Sequence, residues 1–136
     1  MLRLAARHAD IVGLLPAPIR DPEGAEDPRD RLPAAFDAKI GVLREAAGDR
    51  FGDLEISALA TFIVTDKRRA DTVDLIARRG WGGIEAETVW GMPTIFIGSP
   101  DQIRADLRAR RERFGLSYLV VGEDGMPALT EIISGL

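Results

Sequence analysis

Apolar residues along the chain fall into stripes at helical spacing, separated by short apolar runs. Residues 1–8 predict a helix without an N-terminal cap, and residues 9–15 predict a short buried strand. Residues 32–47 predict an amphipathic helix ending at Gly48, with Phe36, Ile40, Leu43 and Ala47 in one stripe. Residues 54–64 first alternate and then become continuously apolar, a pattern that predicts a central strand.

The clearest local signals lie between Thr94 and Gly122. Ser99 and Gln102 have the spacing of a capping box, and Pro100 occupies the first helical position. The helix is predicted to bury Ile103, Leu107 and Phe114 and to end at Gly115 in a left-handed cap. Residues 116–121 then form an apolar run, which predicts a strand covered on both faces.

Three further helices are predicted elsewhere. Thr65 or Asp66 is expected to cap the first, which ends at Gly80 and whose buried stripe is Ala70, Val73, Ile76 and Ala77. After a turn at 81–83, a short helix is expected over 84–90. The last helix covers 126–136, with Leu129, Ile132 and Ile133 facing inward. Residues 16–31 are a polar, proline-rich loop, longer than most connections in a compact domain.

These predictions give one α/β domain over residues 1–136, in which helices separate three strands. Strands joined through helices pair in parallel by right-handed crossovers. Hydrophobic periodicity leaves two arrangements open. The helices either cover both faces of a doubly wound sheet or surround part of a barrel.

Composition excludes several classes of function. The hydrophobic fraction is 46%, the charged fraction 29% and the net charge −4, which argues against nucleic acid as a partner. The chain has no cysteine, so it has no disulfide, thiolate metal site or cysteine nucleophile. One histidine and scattered carboxylates do not have metal-ligand spacing. No apolar run approaches the length of a membrane span and no signal peptide is evident, so we expect a cytoplasmic protein.

Three segments resemble the C-terminal part of bacterial luciferase-like monooxygenases, in particular the branch that depends on the deazaflavin coenzyme F-420. They are LRLAARHADIVG (2–13), VLREAAGDRF (42–51) and IGSPDQIRADL (97–107), followed by RRERFGLSYLVV (110–121). The resemblance implies a partial TIM (β/α)8 barrel containing about three C-terminal β/α units. It also implies coenzyme F-420 or FMN as cofactor and a small-molecule substrate in the full-length family. A closed barrel needs roughly 250 residues, so this chain is expected to be a fragment without activity of its own.

Barrel enzymes bind ligands at the C-terminal ends of their strands. The candidate cofactor-binding residues are therefore Gly13, Glu123 and Asp124, although turn formation explains residues 122–125 equally well. His8 is expected to be structural, and Arg104, Arg108 and Arg111 to share a solvated helix face. No catalytic residue can be named. The alternative function is a non-catalytic α/β module that self-associates, as a homodimer, through open sheet edges.

Overall fold

A computed structural model describes residues 1–16 and 27–135. The described residues form four strands and six α-helices. The strands are β1 (Ile11–Leu14), β2 (Glu55–Val64), β3 (Ile95–Gly98) and β4 (Leu116–Val121). The helices are α1 (Leu2–His8), α2 (Pro33–Ala47), α3 (Arg68–Arg79), α4 (Ala86–Gly91), α5 (Pro100–Phe114) and α6 (Met126–Ile133). Short 3-10 turns cover Pro28–Arg31, Gly48–Asp53 and Glu123–Gly125.

Strand β2 is the centre of a parallel sheet, as its apolar run predicts. Strands β1 and β4 both pair with its N-terminal half and therefore lie along opposite edges of it. Strand β3 pairs with its C-terminal half, from Thr61 to Val64. Since β4 pairs with β2 and not with β3, strand order does not follow chain order as it would around a barrel. The structure is an α/β fold with a short parallel sheet.

The two faces of this sheet are covered very differently. On one face, Ile56, Ala58, Ala60 and Phe62 are buried beneath α1, α2, α5 and α6. Phe62 stacks on Phe96 with ring centroids 4.8 Å apart. On the other face, α3 and α4 cover only the region of β3, where Leu75, Trp81 and Val89 pack on Ile95 and Ile97. Among the described residues, no helix lies over the rest of that face.

Helix α5 confirms the capping prediction. Ser99 Oγ accepts from the Gln102 backbone N–H, and Gln102 Oε1 accepts from the Ser99 N–H at 2.9 Å. The preceding Gly98 has φ +145°, and a Cβ there would approach Gln102 Oε1 to 2.5 Å. Only glycine therefore fits before this cap. Gly115 closes the helix in the left-handed conformation, as predicted.

Two strand predictions were wrong. Residues 95–98 form β3, which is buried along its whole length, so the described chain has four strands where three were expected. Four residues are too short a run to show a period, so the pattern does not separate this strand from a loop that leads into α5. Strand β4 is not covered on both faces, because Tyr118 and Val120 remain half-exposed on one of them.

Helix α3 presents a different face from the predicted one. Thr72 and Leu75 are buried, whereas Ala70, Val73 and Ala77 are exposed and Ile76 is only half-buried. Thr72 is buried because its hydroxyl accepts from the Trp90 indole N–H at 2.9 Å. Neither Thr65 nor Asp66 caps the helix. Lys67 takes that position, and Thr65 Oγ1 accepts from the Lys67 N–H in the turn before it.

Smaller corrections concern α5 and α6. Leu107 is half-buried, and Ile133 is exposed although Ile132 is fully buried. Much of the predicted 16–31 loop, including Pro18, Pro22 and Gly24, lies outside the described residues, as does Leu136 at the end of the last predicted helix. Within the described part, Pro28–Arg31 form a 3-10 turn capped by Asp27. No helix in the described residues is long and apolar enough to cross a membrane.

Candidate functional site

A cavity of about 470 Å³ lies beside the C-terminal half of β2. Residues 59–63 of β2 form its floor, and Arg78 and Arg79 form one wall at the C-terminal end of α3. Gly122, Asp124 and Gly125 form the opposite wall, in the turn that follows β4. The cavity thus occupies the position after a parallel strand where α/β proteins commonly bind ligands.

The turn after β4 is shaped by its glycines. The Gly125 N–H donates to the Gly122 carbonyl oxygen at 2.9 Å, closing the 3-10 turn Glu123–Gly125. Gly125 is buried, and a Cβ there would lie 2.5 Å from Val121 Cγ1. Close packing therefore accounts for Gly125 without a ligand, whereas a Cβ at Gly122 would approach only the Asp124 carboxylate. Asp124 lines the cavity, and Glu123 is exposed beside it.

Gly13 does not belong to this cavity. It pairs with Ser57 on one edge of β2, whereas Val121 pairs with Ala60 on the opposite edge. Two strand spacings separate these edge strands, roughly 10 Å in the plane of the sheet. The structure therefore brings Asp124 together with arginines of α3 and leaves Gly13 outside. The strand ends also differ in level, because β1 ends opposite Ala58 and β2 continues to Val64.

The arginines are the cavity residues that sequence reasoning missed. Arg78 and Arg79 occupy the last turn of α3 immediately before Gly80, where basic residues are common for their interaction with the helix dipole. Because the helix dipole already explains basic residues here, the sequence did not indicate that these two arginines lie beside β2. Arg79 also lies over the Trp81 ring, with its Cζ 5.8 Å from the centroid.

The cavity side chains support binding more readily than proton transfer. Two guanidinium groups and one carboxylate line it, so its side chains carry one net positive charge. A guanidinium stays protonated near neutral pH and cannot act as a base there. His8, the one histidine of the chain, is exposed at the C-terminal end of α1. Within the described residues, no cluster of His, Asp and Glu side chains is suited to a metal ion.

A second charged cluster surrounds Trp90 and is structural. Arg68 and Arg69 lie over its ring at 4.4 and 5.4 Å, and Arg110 donates to its carbonyl oxygen at 2.6 Å. Burial lowers the pKa of Arg110, opposed by the nearby carboxylate of Asp106. These contacts join α3, α4 and α5.

An ion pair at the surface extends this connection between α3 and α4. Arg69 donates to Glu87, and this hydrogen bond lowers the pKa of the Glu87 carboxyl. Because both side chains are more than half exposed, the pair is screened by solvent and contributes little to stability.

Comparisons with known proteins show that the fold of this chain is similar to part of one solved structure. No family model matches the chain, and no curated protein matches it in sequence. Among solved structures, it is similar to the crystal structure of long-chain alkane monooxygenase (LadA), with a TM-score of 0.50 and 13% identity. The match covers 98% of this chain and 36% of LadA, so the chain spans about a third of that protein's length. The likeness is to part of LadA, which is a TIM barrel. At this identity it extends to the fold alone.

Proposed function

We propose that this chain is the C-terminal part of a luciferase-like oxidoreductase that uses FMN or coenzyme F-420, and that it has no oxidoreductase activity by itself. The observation that carries the proposal is the fold likeness, which includes nearly all of this chain but only a third of LadA. The segments 2–13, 42–51 and 97–107, which resemble the F-420-dependent branch, support it independently. Redox chemistry would come from the cofactor, and the protein would position it.

We expect the isolated chain to be inactive because it supplies only part of a ligand-binding site. The cavity beside β2 has two walls and a floor, and an aromatic cofactor bound there would remain largely open to water. Ligand sites of useful affinity usually bury 70–90% or more of a drug-sized ligand. Arg78 and Arg79 offer charge to an anionic group, but the apolar side chains of the cavity are aliphatic, because the Phe62 ring is buried against Phe96 on the other face of the sheet.

The first test is a fluorescence titration of the purified chain with FMN and, separately, with coenzyme F-420. We expect no saturable change in intensity or anisotropy at concentrations up to about 100 µM, which corresponds to binding weaker than roughly −5.5 kcal/mol. Serum albumin at equal concentration controls for nonspecific adsorption. Saturable binding in the low micromolar range to either cofactor would contradict the proposed inactivity.

A second test asks whether the sequence functions within a longer polypeptide. Antibodies raised against the chain are used to probe a denaturing gel of extract from the native cells, and to recover the antigen for cofactor analysis. A barrel of about 250 residues would give a band near 27 kDa or above. It would also release FMN or coenzyme F-420 on denaturation. A single band at 14.8 kDa, free of either cofactor, would be evidence against the oxidoreductase assignment.

A further inference from the structure

The turn after β4 contains the one Asp-Gly pair of the sequence, Asp124 and Gly125. An aspartate followed by glycine is chemically labile, because the glycine nitrogen can reach the carboxyl carbon of the preceding side chain. Glycine has no Cβ to hinder this approach or to restrict the backbone rotation that brings the two atoms together. Every other aspartate of the chain precedes a residue that carries a Cβ, and the chain has no asparagine. The sequence therefore favours this reaction in the turn after β4.

The reaction converts aspartate to isoaspartate without changing the atomic composition of the chain. The Gly125 nitrogen loses its proton and forms a bond to Asp124 Cγ, and a carboxyl oxygen leaves as water. A second water molecule then opens the five-membered imide ring. Attack at Cγ restores aspartate, whereas attack at the main-chain carbonyl carbon leaves the backbone running through Cγ and longer by a methylene. Solvent water is the only co-reactant.

The folded turn keeps the attacking nitrogen protonated and covered. The Gly125 N–H donates to the Gly122 carbonyl oxygen at 2.9 Å, a hydrogen bond that is lost if the proton leaves. Gly125 is also buried, and a Cβ on it would lie 2.5 Å from Val121 Cγ1. Base from solvent therefore reaches this amide only when the turn opens.

The carboxyl group is held away from that nitrogen. A Cβ on Gly122 would lie 2.7 Å from Asp124 Oδ1 and 3.9 Å from Asp124 Cγ, so the carboxyl group folds back over Gly122. Asp124 belongs to the 3-10 turn Glu123–Gly125, and in helical turns the Cα–Cβ bond tilts toward the N-terminal end. The reaction requires Cγ to swing the other way, toward its C-terminal neighbour. Side-chain orientation and the main-chain hydrogen bond thus oppose the reaction together.

We infer that Asp124 is a site of spontaneous isomerisation, which the folded turn suppresses and which opening of the turn exposes. The product fits the closed turn poorly, because an added methylene lengthens the main chain between residues that the hydrogen bond from Gly125 to Gly122 holds together. In isoaspartate the free carboxylate is attached directly to Cα, so the charge that Asp124 places in the cavity wall is displaced. Isoaspartate at this position therefore marks chains in which the turn after β4 has opened.

The test compares the folded chain in neutral buffer with the same chain in denaturing guanidinium chloride, both in water enriched in heavy oxygen. Each ring opening leaves a heavy oxygen in the residue, so mass spectrometry of the tryptic peptide 114–136 counts the events at Asp124. Endoproteinase Asp-N does not cut before isoaspartate, and its failure to cut measures the isomer. We expect a rate at least about tenfold lower in the folded chain, because the reaction proceeds only from the open turn. Equal rates overturn the inference, and so does an unfolded chain that takes up no heavy oxygen at Asp124.

Gly122→Ala tests the orientation of the carboxyl group. The added methyl group takes the place of Asp124 Oδ1, so the side chain must turn elsewhere, while the backbone at φ −67° needs no change. We expect the rate in the folded chain to rise about threefold or more, and the rate in the unfolded chain, which lacks this orientation, to stay within about twofold. The matched control is Gly52→Ala, because a Cβ there meets no atom within 4 Å and should leave both rates unchanged.

Two outcomes decide the chemistry and the orientation. Asp124→Glu should abolish the uptake of heavy oxygen at this position, since the longer side chain cannot close a five-membered ring, and uptake that persists contradicts the imide route. A folded-state rate that Gly122→Ala leaves unchanged overturns the role assigned to the carboxyl orientation. Neither measurement involves FMN or coenzyme F-420, so failure here leaves the cofactor proposal untouched.

Discussion

Arg104 shows how a single side chain can belong to tertiary structure although its neighbours on the helix are solvated. Sequence periodicity assigns it to a solvent face together with Arg108 and Arg111. In the structure its Nε donates to the Ile132 carbonyl oxygen and its Nη2 to that of Glu131, both at 3.0 Å. Carbonyls in the last turn of a helix lack helical partners, so this guanidinium helps to cap α6, together with the Gly135 N–H at Ile132 and the Ser134 hydroxyl at Glu131. Arg50 does the same for α1 through Ala6 and Ala9.

We predict that Arg104→Met destabilises the protein by about 1–3 kcal/mol, because two carbonyl oxygens lose a charged donor while the aliphatic stem is retained. The Arg104 side chain is only 16% exposed, so water replaces the donor poorly. Arg108→Met on the exposed side of the same helix is the control and should change stability by less than about 0.5 kcal/mol. Urea unfolding followed by circular dichroism measures both. Equal effects in the two variants would mean that the α6 cap is unimportant.

At the scale of the element, the ends of α5 and the buried face of α3 show what a local sequence can and cannot specify. The ends of α5 follow from chemistry within a few residues, the capping box at Ser99 and the left-handed Gly115, and the structure confirms both. The buried face of α3 depends on Trp90, which is distant in sequence and holds Thr72 through a hydrogen bond. A hydroxyl that is buried because of such a partner looks polar in any local pattern. Strand β3 was missed for a different reason, since its four apolar residues are too few to show a period.

The face of α3 can be tested with two neighbouring truncations. Leu75 is 4% exposed and packs among Trp81, Val89 and Met92, so Leu75→Ala should cost about 2–4 kcal/mol. Val73 is 53% exposed, and Val73→Ala should change stability by less than about 0.5 kcal/mol, or stabilise slightly through helix propensity. Thermal and urea denaturation of the pair decide between the faces. A larger loss at Val73 would restore the face that periodicity predicted.

For the whole molecule, the central position of β2 determines how stability is distributed. It is the strand that contacts β1, β3 and β4, and apolar clusters involving its residues extend over both faces of the sheet. Helix α1 buries a single residue, Ala6, and has no side-chain cap at its N-terminus. The candidate site also depends on β2, and only part of it could be predicted from the sequence. Its floor is β2, which the sequence indicated, whereas the arginines of its wall reach it only through the packing of α3.

Native-state hydrogen exchange should reveal this distribution. Amides of β2 between Ile56 and Val64 are expected to exchange only through global unfolding, because opening them disrupts every strand pairing. Amides of α1 should exchange at least about 100-fold faster, through local opening of a helix with few buried contacts. Mass spectrometry or NMR over a denaturant series measures both. Equal protection of α1 and β2 would show that α1 is an integral part of the cooperative core.

The register shift in β4 bears on how this chain should be compared with others. Leu116 pairs with Ile56 and Tyr118 with Ser57, so Ser117 is an extra residue opposite the step from Ile56 to Ser57. The inward side chains are Leu116, Leu119 and Val121, spaced three and then two apart instead of two and two. A relative without the extra residue aligns correctly only if a one-residue gap is opened at Ser117. An ungapped alignment would assign Tyr118 to the core and Leu119 to water. A deletion at this point would preserve every inward side chain, so we expect evolution to have tolerated length change in this strand at Ser117.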